Sequence, residues 1–222
     1  MTRRPDRLIA VAHRSGNTVA GLREALDAGV DLVECDVHAY RGVLEVRHHK
    51  LLGPTHLWDK WELIRRSDYA PFELAELMTA LGDDPRLMID LKGVHRGLAP
   101  AVAQVVREHA PDSGFTVCTK HWWMLGSFAP PVRRVLSASN RRSVARLVRR
   151  LEQPDASAAY GVSVRRSMLT PALVTRMKAR TEVVLTWPVD TDAELADARR
   201  LGVDGVISKD LGLLRRVLAD GR

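Results

Sequence analysis

Short apolar runs alternate with amphipathic stretches along the 222 residues of the chain. Residues 8–13 are apolar and β-branched and predict a strand. A helical period follows over 18–28, and Gly29 is its natural stop. A second strand is predicted over 31–37, and Gly42 opens a short extra strand over 43–48. Residues 50–69 show neither period and are broken at Gly53-Pro54, so they read as an irregular insertion. Beyond a helix at 71–81, strands are predicted at 87–92, 115–119, 132–136, 159–164, 183–187 and 206–208. Helices separate them at 98–109, briefly after 119, and at 143–151, 171–179 and 193–201, and the helix 211–219 closes the chain. Eight short apolar strands in strict alternation with helices predict a TIM (β/α)8 barrel, a single α/β domain over residues 1–222. The rival, an open doubly wound sheet, lacks support. No glycine-rich turn follows the first strand, and polar residues end many strands rather than one switch point.

Composition narrows the function classes. Hydrophobic residues make up 45% of the chain, enough for one large core. The formal net charge of +7 and a pI near 9.9 favour anionic partners. Much of that excess sits in arginine doublets. Arg142, Arg146, Arg149 and Arg150 fall on adjoining turns of one helix and read as a solvated face. Aromatics are only 5% and none lies among these arginines, so nucleic acid is not expected as a partner. No apolar stretch is long enough to span a bilayer, which leaves only peripheral membrane contact. The first residues lack the apolar run of a secretory signal, so a cytoplasmic location is expected. Cys35 and Cys118 sit in predicted strands and read as buried free thiols.

The chemistry lies at strand ends. Glu34 and Asp36 are two apart and share a face, opposite Val33, Cys35 and Val37. They are expected to point into the barrel mouth. There, two close carboxylates repel unless a cation lies between them. Asp90 and Lys92 repeat the parity on the next barrel strand, and Asp90 supplies a third oxygen ligand. An all-oxygen set suits Mg²⁺ or Ca²⁺. Arg14 and Lys92 then face the anion that the metal also binds. His13 and His48 bring imidazoles suited to proton transfer, one to the attacking oxygen and one to the leaving oxygen of a phosphodiester.

In this order, the motifs resemble those of the glycerophosphodiester phosphodiesterase family. They are Ala12-His13-Arg14, Asn17-Thr18, Glu34-Cys35-Asp36-Val37, Gly42 to Val46-Arg47-His48, and Ile89-Asp90-Leu91-Lys92. Thr186-Trp187-Pro188-Val189-Asp190 and the run from Gly202 to Ser208 complete the set. The resemblance implies a TIM barrel that cleaves glycerophosphodiesters or lysophospholipids with the help of a metal. It implies His13 and His48 as the acid–base pair, with Glu34, Asp36 and Asp90 on the metal. Arg14 and Lys92 bind phosphate, and Trp187 lines the substrate pocket. There are departures. The family's Pro-Glu-Asn loop is shortened here to Ser15-Gly16-Asn17, and its His-Asp is His48-His49. His48 keeps the family spacing from Gly42, with His49 the runner-up. Lys120-His121-Trp122 replaces small residues, and Lys209 stands where an Asp is expected. The compact first loop is also similar to that of the sphingomyelinase D-type phospholipases, which form cyclic phosphates. A non-catalytic anion-binding barrel is the alternative these departures raise.

Other residues carry weaker signals. His56, Trp58 and Trp61 fall in the insertion, which overhangs the mouth as a lid or acyl-chain rest, or else tucks on its own tryptophans. Lys120 and His121 are placed to touch substrate. Trp122 and Trp123 read as packing. Arg165 and Arg166 contact an anionic head group or solvent. His38 and His109 read as incidental.

Overall fold

The structure is a computed structural model describing residues 7–59, 61–109, 114–153 and 159–220. Strand β1 (Ile9–Ala12) pairs in parallel with β2 (Leu32–Tyr40) on one side and with β12 (Gly205–Ser208) on the other. That double pairing closes the sheet. Between them run β7 (Leu87–Leu91), β8 (Thr116–Thr119), β9 (Arg133–Ala138), β10 (Gly161–Arg165) and β11 (Val183–Trp187). All pair in parallel with their neighbours. Among the described residues these eight strands form the barrel that the alternation predicts, and the fold is a TIM barrel. Helices α1 (Val19–Asp27), α2 (Leu74–Leu81), α3 (Leu98–His109), α4 (Arg141–Leu151), α5 (Pro171–Lys178), α6 (Asp192–Leu201) and α7 (Leu211–Ala219) lie outside it. Between β8 and β9 the outer layer holds only a six-residue 3-10 helix, Trp122–Ser127. No described helix is long and apolar enough to cross a membrane.

Strand parity divides the apolar side chains into two layers. Val11, Met88, Cys118, Val135, Leu185 and Ile207 fill the barrel interior. Val33, Cys35 and Val37 face outward into the larger core shared with the helices, against residues such as Leu22 and Leu77. This is the division that places Glu34 and Asp36 on the inner face. Both cysteines are buried free thiols, as expected.

One region departs from expectation. Arg41 and Gly42, both with positive φ (48° and 85°), turn the chain from β2 into β3 (Val43–Val46), which runs antiparallel to β2. The described residues between 50 and 69 are not irregular. Within them β4 (Lys50–Leu52), β5 (His56–Asp59) and β6 (Glu62–Arg65) form a three-stranded antiparallel sheet, the flap. Its strands are three or four residues long, too short for an alternation to stand out in the sequence. The pairing puts Leu51, Leu57 and Ile64 side by side on one face, and Leu57 is fully buried there. Trp58 is on the opposite face, next to Lys50 and Leu63, and Trp61 is fully exposed. The tryptophans therefore do not tuck the segment down. A buried charge network anchors it instead. Glu45 of β3 accepts from Arg47 Nε at 2.7 Å and from Arg66 Nη1 at 2.9 Å, just beyond β6.

Candidate active site

The site begins where β1 ends. Arg14 adopts the left-handed backbone conformation (φ 62°), which costs a non-glycine residue about 1 kcal/mol. The turn aims its backbone N–H at Glu34, donating to Oε2 at 2.6 Å. Gly16 packs so closely on β2 that a Cβ there would lie 2.8 Å from the Cβ of Cys35. Asn17 completes the cradle. Its Nδ2 donates to Asp36 Oδ2 at 3.0 Å, and its Oδ1 accepts from the Asp36 backbone N–H at 2.8 Å. The shortened first loop thus holds both carboxylates of β2 by direct contact.

Glu34 and Asp36 are buried and Asp90 partly so, and each offers a carboxylate oxygen within 4.8 Å of the others. Neighbouring strands explain the convergence, because Asp36 of β2 and Asp90 of β7 are register partners. Lys92 lies among them, its Nζ 2.7 Å from Asp36 Oδ1 and ion-paired to Asp90. Burial raises the Asp36 carboxyl, but Lys92 and Asn17 outweigh it and hold the group below its ordinary range. Burial lifts Asp90 despite Lys92. Glu34, buried and next to Asp36, is pushed well above the usual carboxylate range. Three carboxylates against the Lys92 ammonium and the Arg14 guanidinium, 3.8 Å from Asp36, leave negative charge that protonation of Glu34 or a further cation offsets. This donor set fits a hard divalent ion, and Glu34, Asp36 and Asp90 form the cluster able to hold one.

Two imidazoles flank the cluster. The backbone N–H of His13 donates to Ser208 O at 2.7 Å, tying it to β12. Burial and then Arg14 push its ring down to about 3, against the opposing charge of Asp36. His48 stands on the flap side. Its Nε2 accepts from Arg14 Nη2, and its Nδ1 lies 2.7 Å from Asp59 Oδ2. That pair of contacts makes Nδ1 the protonated nitrogen. Burial lowers His48, while Asp36 and Asp59 oppose the shift. His49 turns away, its Nε2 3.0 Å from Glu62 Oε2 on the flap. The structure therefore brings His48 to the cluster and leaves its runner-up outside.

The remaining expected residues fall as follows. Arg14 also reaches Asp36 and Asp59, each at 3.8 Å. Trp187 ends β11, and the Lys120 ammonium lies 5.3 Å from its ring centre. Arg166 is committed to Glu194 and Asp197, at 2.7 and 2.6 Å, so it is structural and not a head-group contact. Lys209 acts on His13 as a nearby positive charge. Sequence reasoning missed Asp59 and gave Asn17 no role. For Asp59 the signal was its parity with the apolar Leu57, which puts both on the inner face of β5.

No protein-family model matches the chain. The resemblance read in the sequence is nevertheless borne out by individual proteins. The chain is 28% identical to a Mycobacterium tuberculosis protein named "Probable glycerophosphodiester phosphodiesterase 2", over 95% of this chain and 90% of that one. A solved Oleispira antarctica phosphodiesterase, in complex with the product sn-glycerol-3-phosphate, superposes with a TM-score of 0.74 at 18% identity. The match covers 96% of this chain and 97% of that one. A glycerophosphodiester phosphodiesterase from Thermotoga maritima gives a TM-score of 0.73 at 18% identity, over 95% and 98%. At such identities the solved structures establish the shared barrel.

Proposed function

We propose that this chain is a phosphodiesterase that hydrolyses glycerophosphodiesters to glycerol 3-phosphate and an alcohol. The observation that carries the reading is the meeting of Glu34, Asp36 and Asp90 within 4.8 Å, with Asp36 acting on the rings of both His13, just after β1, and His48, just before the flap. Similarity to the Mycobacterium tuberculosis relative and to the product-bound Oleispira antarctica structure supports it. A Mg²⁺ or Ca²⁺ ion held by the three carboxylates would supply positive charge at the phosphoryl oxygens.

The chain's own residues do the rest. Arg14 and Lys92 neutralise the phosphate as its charge develops, and Trp187 lines the pocket. Arg14 keeps His48 Nε2 unprotonated in the free site, and once Arg14 turns to the phosphate this nitrogen is free to take a proton from the attacking water. Asp59 then stabilises the imidazolium. His13 is the partner that protonates the leaving oxygen. In the free site burial and Arg14 oppose its charge, and a phosphodiester anion seated against Arg14 offsets that opposition.

Phosphorus NMR of glycerophosphocholine or lysophosphatidylcholine, incubated with the protein and either metal, tests the reading. We expect glycerol 3-phosphate or lysophosphatidate to appear. His13→Ala and Glu34→Ala should stop turnover while circular dichroism stays unchanged. Full activity in both variants would remove the proposal. Metal-dependent binding with no turnover in the native chain would favour the non-catalytic barrel.

A further inference from the structure

The outer layer of the barrel is incomplete between β8 and β9, where the 3-10 helix Trp122–Ser127 takes the place of a full helix. The gap is a groove of about 550 Å³. It starts at Lys120 on the rim, beside Trp187, and is walled by α4. Lys120, Arg146, Arg149 and Arg150 line it with Trp122 and Trp123, and no described carboxylate does. On a helix, like charges three and four residues apart repel. The helix dipole favours Arg149 and Arg150 in the last turn of α4. It does not explain why they converge with Lys120 from a different element. The groove is also pre-set. Trp122 Nε1 donates to Ser137 O at 3.0 Å, and the Arg146 guanidinium stacks 4.3 Å above the Trp122 ring. Stacking fixes a guanidinium while leaving its N–H fork free to bind.

We propose that this groove binds a second phosphate, carried by the part of the substrate beyond the scissile phosphodiester. It deepens the function proposed above, since it names a substrate class for the same mouth. Lys120 sits between the two ends: Asp90 and Lys92 of the cluster both act on its ammonium. A substrate held at Arg14 and Lys92 would lead past Trp187 and Lys120 into the groove. There Arg146, Arg149 and Arg150 offer paired N–H donors that match phosphate oxygens. Trp123, 56% exposed, provides an apolar wall for the carbon chain between the phosphates.

Glycerophosphoglycerol and its terminal phosphate monoester form the test pair, because they differ only in the second phosphate. In the native chain the phosphorylated member should show at least about a tenfold higher kcat/KM, the effect of one charge-assisted contact. The double variant R149Q/R150Q should bring that ratio close to one and leave turnover of the unphosphorylated member unchanged. R23Q/R215Q removes two exposed arginines elsewhere and should preserve the ratio. Calorimetric binding of both ligands to H13A gives the same comparison without catalysis. A preference in binding but no turnover by the native chain would therefore sustain the groove and sink the hydrolase reading. A ratio of one in native binding and kinetics would overturn the groove, as would an equal loss in R23Q/R215Q, which would assign the preference to net charge alone.

Discussion

His13 and His48 flank one carboxylate cluster but are held by regions of different kinds. His13 follows β1, which is hydrogen-bonded on both sides within a closed barrel. His48 belongs to the excursion between β2 and α2, where its partner Asp59 comes from a three-stranded sheet that, among the described residues, pairs only within itself. A closed barrel opens only at a cost near that of global unfolding, whereas a small sheet opens at a lower one. The proposed acid–base pair therefore joins a fixed member to one whose placement depends on the flap staying down. The flap's hold is a few named contacts, above all Glu45 with Arg47 and Arg66.

Substitutions can break the two halves separately. The largest effect is expected from His13→Gln, with kcat for glycerophosphodiester hydrolysis falling by about 10²–10⁴ and metal affinity by calorimetry unchanged. Glu45→Ala comes next. It leaves two arginines without their buried partner, a loss of about 3–5 kcal/mol in urea unfolding. Because the damage is on the flap side, hydrolysis should fall while metal still binds to Glu34, Asp36 and Asp90. Loss of metal binding in Glu45→Ala would show that the two regions are not separable. Asp59→Asn removes the charge that backs His48, and kcat should drop about tenfold to hundredfold with little change in KM. His49→Gln should alter kcat less than twofold, and a large drop there would reverse the choice between the paired histidines.

Acid probes the same contrast through stability. His13 and His38 are both pushed down to about 3, chiefly by burial. The folded chain keeps them neutral, whereas the unfolded chain protonates them near 6.5. The unfolded state therefore binds more protons between those values, and stability falls as pH drops through that window. Each histidine contributes at most about 1.4 kcal/mol per pH unit. Urea midpoints for His38→Gln should decline less steeply than those of the native chain between pH 6 and 4.

The barrel and its mouth were readable because their physics is periodic. Alternation on β2 sends Glu34 and Asp36 inward and Val33, Cys35 and Val37 outward, and β7 repeats it with Asp90, the parity carrying on to Lys92 just past its end. The flap was not readable, since strands of three or four residues carry too few positions to declare a period. Asp59 was lost with them. The left-handed backbone at Arg14 was equally hidden, because nothing in an arginine's chemistry announces that contact with Glu34 will outweigh its steric cost. The helix of Arg146, Arg149 and Arg150 was read as a helix with a solvated arginine face, and all three are exposed; that they also line a groove was not legible. The missing neighbour that makes it one wall of a groove belongs to a different stretch of sequence.

Lys92 has a bearing on how the protein is made. A newly synthesised chain must bring three acidic side chains together before any ion has been captured. A tethered ammonium arrives just past the end of β7, two residues from one of those acids, and so supplies a counter-charge at every concentration of free metal. Part of the charge at the mouth is thus already offset while the barrel closes, whether or not an ion is present.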